Sequence, residues 1–238
     1  MRFRGSARRN LEWAREHIER YGVTPTVKKV ACVMYDFFYE WFHGTETSTM
    51  VWSDDLVTNS PNKAHANCYQ PSKAWPFSRL LSELNLPRDT AFVDVGAGKG
   101  RMLLVAAEYG FNRVVGVELC ANLSAQARHN VEIFRKTRAK LPEISVVNSD
   151  AIEYSLPEGD IAFYLNNSFK IPVLMQFLEK IQQALDSSSR RIWMIYSPAI
   201  HDSAIQDSRV FHQRQRYEFG GVEFIVYSAG PRADSTAA

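Results

Sequence analysis

The run Phe92-Val93-Asp94-Val95-Gly96-Ala97-Gly98-Lys99-Gly100 constrains this chain more than any other stretch. An apolar strand ends there, three glycines follow at alternate positions, and helix-forming residues come directly after. The next apolar run, Val114-Val115-Gly116-Val117, closes on Glu118. A strand that turns through glycines into a helix lets a ligand approach bare backbone, and an acid ending the second strand suits ribose hydroxyls. The pair predicts a site for a nucleotide-like cofactor. The loop does not complete a dinucleotide fingerprint, because Arg101 stands where the third glycine belongs, and it lacks the Gly-Lys-Ser/Thr of a phosphate-binding loop.

Around this loop the pattern alternates. Strands are expected at 91–95, 114–118, 144–148, 160–165 and 191–197, with helices at 73–84, 99–109, 122–139 and 171–185 between them. Two last strands, 208–218 and 222–228, are joined by Gly220-Gly221, a hairpin signal. The fold expected is α/β: a Rossmann-like, doubly wound, mostly parallel seven-stranded sheet with a C-terminal antiparallel hairpin. An N-terminal helical extension precedes it. Helix 8–21 puts Leu11, Ala14, Ile18 and Tyr21 on one stripe, and the aromatic-rich segment 27–42 is a second helix; both are expected to pack on the main domain. The chain divides into 1–71 (helices and a lid or linker), 72–230 (the cofactor domain) and 231–238 (a frayed tail). Segment 43–71 is polar and turn-rich, and a loop of that length in a compact protein is functional or disordered. Its Trp52, His65 and Tyr69 favour function.

Composition narrows the classes of partner. The 238 residues carry a net charge of +2, so no global field points to nucleic acid or a membrane surface. The first 30 residues hold eight Arg or Lys against three Glu, which reads as a solvated helix face. Cys32, Cys68 and Cys120 are far apart and show no ligand spacing, so neither a metal site nor a disulfide framework is expected. No apolar run is long enough for a membrane span. The expected compartment is the cytoplasm, and the oligomeric state stays open.

Chemistry concentrates at strand ends. Glu118 can accept hydrogen bonds from both ribose hydroxyls, and Asp94 can hold the glycine loop or a cationic ammonium. Asp150-Ala151, after the third strand, offers a carboxylate and an amide to an adenine edge, or else a plain helix cap. Asn166-Asn167-Ser168-Phe169 ends the fourth strand. Its amides can bind the amino-acid part of a cofactor or orient an acceptor, unless they merely form a turn. His65 and His201 are candidate general bases, and both can equally be surface residues.

In these residues the chain resembles class I S-adenosylmethionine-dependent methyltransferases: Asp94–Gly100 as the glycine motif, Gly116-Val117-Glu118 as the ribose acid, Asp150-Ala151 as the adenine contact, and the terminal hairpin. The likeness covers about residues 72–230. A narrower resemblance is to a bacterial group with Tyr-x-Pro-Ser before the domain (here Tyr69-Gln70-Pro71-Ser72), a GxGKGR loop (here 96–101) and a fourth strand ending in YLFNPF. Here that ending is Tyr164-Leu165-Asn166-Asn167-Ser168-Phe169, with Ser168 in place of the proline. The Asn pair also resembles Dot1-type protein lysine methyltransferases, whose strand ends Val-Asn-Asn-Phe; this likeness leaves out residues 1–60.

The resemblance implies S-adenosyl-L-methionine as cofactor. It places Asp94, Gly96, Ala97, Gly98 and Gly100 against the methionine part and ribose, Glu118 on the ribose hydroxyls and Asp150 and Ala151 on the adenine. Asn166 lies beside the sulfonium, and Tyr69 closes over the cofactor. The acceptor expected first is a hydroxyl of a small molecule or glycan, with His65, His201 and Asn167 as catalytic candidates. A protein lysine amine is the alternative. A non-catalytic methyltransferase-like module that binds a partner through residues 1–42 is the third reading.

Overall fold

The computed structural model describes residues 7–65, 67–138 and 140–231, with no side-chain description for residues 7–10. The strands β1 (Ala91–Val95), β2 (Arg113–Glu118), β3 (Glu143–Asn148), β4 (Ile161–Leu165), β5 (Ile192–Tyr196), β6 (Gln213–Phe219) and β7 (Val222–Ala229) form one sheet in the order β3-β2-β1-β4-β5-β7-β6. β1 to β5 pair in parallel, and β7 runs antiparallel to both β5 and β6. This is the expected doubly wound sheet with its terminal hairpin.

Period-two alternation sorts the side chains of these strands between two cores. Phe92, Val114, Ala162 and Tyr164 face one side, with Phe77, Leu103, Leu104 and Phe134 from the helices α3 (Ala74–Leu84), α4 (Arg101–Tyr109) and α5 (Ala121–Lys136). Val93, Val95, Val117, Phe163 and Leu165 face the other, under Leu174, Phe177 and Ile181 of α6 (Ile171–Ser187). Strands buried on both faces must be apolar throughout, which is why β1 and β4 read as continuous hydrophobic runs. The exception is Asp94, on the face of Phe92 and in register with Gly116 and Tyr164. It stands beside the point where strand order reverses between β1 and β4, the place where open α/β sheets bind ligands.

Several boundaries differ from expectation. Residues 208–212 are not strand. A short helix α7 (Asp202–Ser208) precedes β6, which begins at Gln213. With seven residues and one buried apolar side chain, Ile205, α7 has too little amphipathic pattern to be read. α4 begins at Arg101, because Gly100 takes a left-handed φ of 84° and starts it. α5 ends at Lys136 instead of 139, and the tail beyond 231 lies outside the described residues.

The N-terminal helices are α1 (Ala7–Tyr21) and α2 (Val23–His43). α2 starts four residues before the expected position, since Pro25 is compatible with a first helical turn. It packs on α3, and its buried residues meet several elements: Thr26 bonds His17 of α1, Asp36 accepts from the Ala74 amide at the start of α3, Tyr39 donates to Glu108 of α4 and His43 packs on Phe134 of α5. α1 packs on α2, and its stripe does not close on the main domain: Leu11, Ile18 and Tyr21 are exposed. Among the described residues, no helix is long and apolar enough to cross a membrane, and no cluster of His, Cys, Asp and Glu could hold a metal ion.

Candidate active site

The glycine loop is fixed by backbone bonds to the neighbouring strand. The Gly96 and Ala97 amides donate to the Val117 carbonyl at 2.8 and 3.1 Å, and the Gly98 amide donates to Glu118 Oε2 at 2.7 Å. Gly98 has a left-handed φ of 54°, and the ring of Tyr69 fills the space that a Cβ there would occupy. A side chain at Gly96 would meet Ser168 Oγ at 2.8 Å. Bare backbone on this loop is therefore required twice, by local conformation and by what lies on top.

Three acids line the cleft around this loop. Asp94 is buried and its carboxylate has no hydrogen-bond partner among the described residues. Burial, followed by the negative charge of Glu118, pushes its pKa well above the usual carboxylate value. Glu118 is also raised by burial, offset in part by the amides of Cys120 (2.9 Å) and Gly98. Asp150 is differently placed. Its Oδ2 accepts from Ser60 Oγ and Asn62 Nδ2, both at 2.8 Å, and its Oδ1 caps the Ile152 amide at 3.0 Å. Both expected roles of Asp150 thus find a geometry: it caps its own turn and presents a carboxylate to the cleft, where lid donors now meet it.

At the end of β4, Asn166 donates to Ser72 Oγ, which also accepts from Tyr164 Oη at 3.0 Å. Asn166 lines the cleft, and its side-chain oxygen meets no donor among the described residues. Asn167 adopts a left-handed φ of 48°, and its carbonyl and side-chain oxygens accept from Asn67 Nδ2 at 2.7 and 3.2 Å. Burial raises the phenols of Tyr69 and Tyr164 far above their usual range, and each donates its proton to a neighbour: Tyr69 to the Thr47 carbonyl at 2.7 Å, Tyr164 to Ser72.

The polar segment 43–71 folds over this cleft as a cover. Its two 3₁₀ turns (Ser53–Asp55 and Pro61–His65) and a bridge between Val51 and Tyr69 are its regular parts. Leu56 is buried against Cys120 and Leu123. The strongest tie is Arg101, only 2% exposed. Its guanidinium donates to Thr47 Oγ1 (2.7 Å), Ser48 Oγ (2.5 Å) and the Ser72 carbonyl (3.0 Å), and pairs with Asp36 (3.1 Å) and Glu40 (3.3 Å) of α2. Five donors in a planar fork suit one side chain to three segments at once. Beside it, Lys99 Nζ pairs with Glu46 at 2.7 Å, which holds that carboxyl below its usual value despite burial. Asn130 of α5 donates to the Glu46 and Lys99 carbonyls, both at 2.9 Å.

Of the residues singled out in the sequence, Tyr69, Asp94, Gly96, Ala97, Gly98, Glu118, Asp150, Ala151, Asn166 and Asn167 all line one cleft. Gly100 does not line it; it packs on Ala127 and starts α4. His65 and His201 are not brought there either. His65 ends the second 3₁₀ turn with its Nδ1 buried and unpartnered, and His201 begins α7. Ser60, Asn62, Asn67, Ser72 and Arg101 were not singled out as site residues. Of these, Ser72 left a signal in the Tyr-x-Pro-Ser segment, and Arg101 as the residue that breaks the dinucleotide pattern and ends the GxGKGR loop.

The cleft fits S-adenosylmethionine on two counts. Its floor is glycine backbone that a Cβ would fill, and Asp94 offers an unpaired buried carboxylate to a cationic group. The family model for the histone methylation protein DOT1 matches residues 65–193, more than half of the chain. No curated protein matches it significantly. Among solved structures, the glycopeptide N-methyltransferase MtfA complexed with S-adenosylhomocysteine is 12% identical (TM-score 0.48), covering 65% of this chain and 89% of its own. Magnesium protoporphyrin IX methyltransferase from Synechocystis PCC 6803, with bound S-adenosylmethionine, is 14% identical (TM-score 0.44; 65% and 76%). An RNA methyltransferase from Salinibacter ruber in complex with S-adenosylhomocysteine is 16% identical (TM-score 0.44; 71% and 99%). Likeness at this level says nothing about the acceptor. The chain belongs to the DOT1 histone methylation family and is an S-adenosylmethionine-dependent methyltransferase.

Proposed function

We propose that the acceptor is a lysine side-chain amine on a protein, in preference to the hydroxyl expected first from the sequence. The observation that supports this reading is that, among the described residues lining the cleft, no side chain is left over as a base: Glu118 is held by the Gly98 and Cys120 amides, Asp150 by Ser60 and Asn62, and Asp94 is taken here for the positive charge of the cofactor. Methylating a hydroxyl calls for a positioned base. Neither His65 nor His201 lines the cleft, and the phenols of Tyr69 and Tyr164 hold their protons firmly in bonds to Thr47 and Ser72. A lysine ammonium must give up one proton to solvent before it enters; the neutral amine then attacks without a base in the cleft, needing only orientation and the exclusion of water. The family's printed name, a histone methylation protein, agrees with such an acceptor.

When bound, S-adenosylmethionine supplies an electrophilic methyl group on a sulfonium, which is itself a leaving group. On this reading Asp94 balances the positive charge of the cofactor, Glu118 takes the ribose hydroxyls and Asp150 with Ala151 takes the adenine. Asn166 offers its side-chain oxygen to an N–H of the incoming amine, and Asn67 fixes Asn167 beside it. Tyr69 and the cover around it keep water out. Alignment of this kind supplies about 7–11 kcal/mol of such a barrier.

The test is methyl-labelled S-adenosylmethionine with core histones, nucleosomes and a whole-protein lysate, followed by acid hydrolysis. Label recovered as methyl-lysine supports the reading. Label that appears only in small molecules or glycans, or tight cofactor binding with no transfer, overturns it.

A further inference from the structure

The outer face of α2 is largely apolar, and none of the described residues covers it. Val27, Met34 and Trp41 lie seven residues apart, as do Ala31 and Phe38, and Tyr35 and Phe42. A seven-residue repeat keeps an apolar stripe straight along a partner helix instead of letting it drift round the surface. Trp41 and Phe42 are 74% and 73% exposed, Phe37 and Phe38 more than half, Tyr35 about two-fifths, and Val23, Val27 and Met34 are open as well. Phe38, Trp41 and Phe42 rim a surface groove over Tyr39 and His43, a hole of the kind into which a facing knob inserts.

The area is that of a stable interface. An aromatic side chain offers roughly 150–250 Å². At these exposures the five aromatic residues leave on the order of 600 Å² open, and the aliphatic ones bring the patch to about 800 Å², the share each partner gives to a standard-size complex. The charge pattern selects the occupant. Helices that lie on anionic membranes rim their apolar face with Lys and Arg. On α2, Lys28, on the column of Tyr35 and Phe42, pairs with Glu218 at 3.9 Å and Lys29 meets His17, so the aromatic end of the stripe from Met34 to Phe42 has no basic rim of its own helix; α1 carries Arg8, Arg9, Arg15 and Arg20 against Glu12, Glu16 and Glu19. An apolar surface that repeats every seven residues is complementary to itself, as a two-fold interface requires.

We propose that this stripe is the interface of a homodimer, α2 of one copy packed against α2 of a second around a two-fold axis near Met34. The inner face of the same helix holds Asp36 and Glu40 on Arg101, so the dimer braces the cover of the active site from behind.

The experiment is light scattering at tens of micromolar protein, repeated for the double variant Phe38→Glu/Trp41→Glu. The wild type is expected at twice 27.2 kDa. The double variant is expected as a monomer with unchanged far-ultraviolet circular dichroism and unchanged S-adenosylhomocysteine affinity. If the double variant does not fold, Met34→Cys reads the same contact: an inter-chain disulfide formed in high yield under mild oxidation supports the dimer, and none overturns it. A monomeric wild type overturns the proposal. So does a double variant that stays dimeric, or a monomer that binds vesicles of phosphatidylglycerol and phosphatidylcholine through the stripe.

Discussion

The ring of Tyr69 lies where a side chain on Gly98 would be, so a residue of the cover and a residue of the cofactor loop share one small volume. The Gly98 amide is at the same time bound to Glu118. Gly98→Ala must displace the ring and twist an amide that orients Glu118. Cofactor affinity is expected to fall at least tenfold, measured by titration calorimetry with S-adenosylhomocysteine. In a Tyr69→Ala background the same change should cost clearly less, because the steric part is gone; equal losses in both backgrounds would refute the shared volume.

Asp94 is kept at a cost to stability. Its pKa and that of Glu118 are raised in the folded chain, so each favours folding while protonated. That contribution is fully present below their ordinary, unfolded values and is lost as pH rises through the raised folded ones. Asp94→Asn should therefore raise the melting temperature of the cofactor-free protein at pH 8 and flatten its decline from acid to alkaline pH. It should also weaken S-adenosylmethionine more than S-adenosylhomocysteine, which keeps the ammonium but lacks the sulfonium charge. Thermal melts across pH and paired titrations check both.

Arg101→Ala leaves Asp36 and, beside it, Glu40 without their guanidinium. Removing one partner of a buried pair costs about 3–5 kcal/mol, read as a lower denaturant midpoint. Arg101→Lys retains the charge without the fork to Thr47, Ser48 and Ser72. It should recover part of the stability while the KM for cofactor stays raised.

Ser60 and Asn62 occupy Asp150 Oδ2, the oxygen through which that carboxylate would meet an adenine amino group. Ser60→Ala/Asn62→Ala frees it. S-adenosylhomocysteine binding is expected to tighten several-fold, whereas Asp150→Ala should weaken it. A double variant that binds more weakly would mean that the two donors help hold the ligand instead of competing with it.

The sheet, its order of elements and the cofactor loop were legible because β1, β2 and β4 are buried on both faces and announce themselves as apolar runs, and because Gly98 and Glu118 serve local geometry. The cover was legible only as a loop. Thr47, Ser60, Asn62 and Asn67 act through partners up to 100 positions away, and no periodicity marks them. Arg101 was read for the fingerprint it breaks, although its own reach across Asp36, Thr47 and Ser72 is what counts. Of the aromatic residues of α2 only Tyr39 is buried; Tyr35, Phe37, Phe38, Trp41 and Phe42 turn outward, a direction that composition does not carry.

The cover is pinned along its length: at Thr47 and Ser48 to Arg101, at Leu56 to Cys120, at Asn62 to Asp150, at Asn67 to Asn167 and at Tyr69 to Gly98. A segment tied at so many points does not peel back residue by residue; it opens as a cooperative unit. Where cofactor exchange needs that opening, its frequency sets a ceiling on turnover. Amide hydrogen exchange across residues 47–69 should report that ceiling as one shared opening rate.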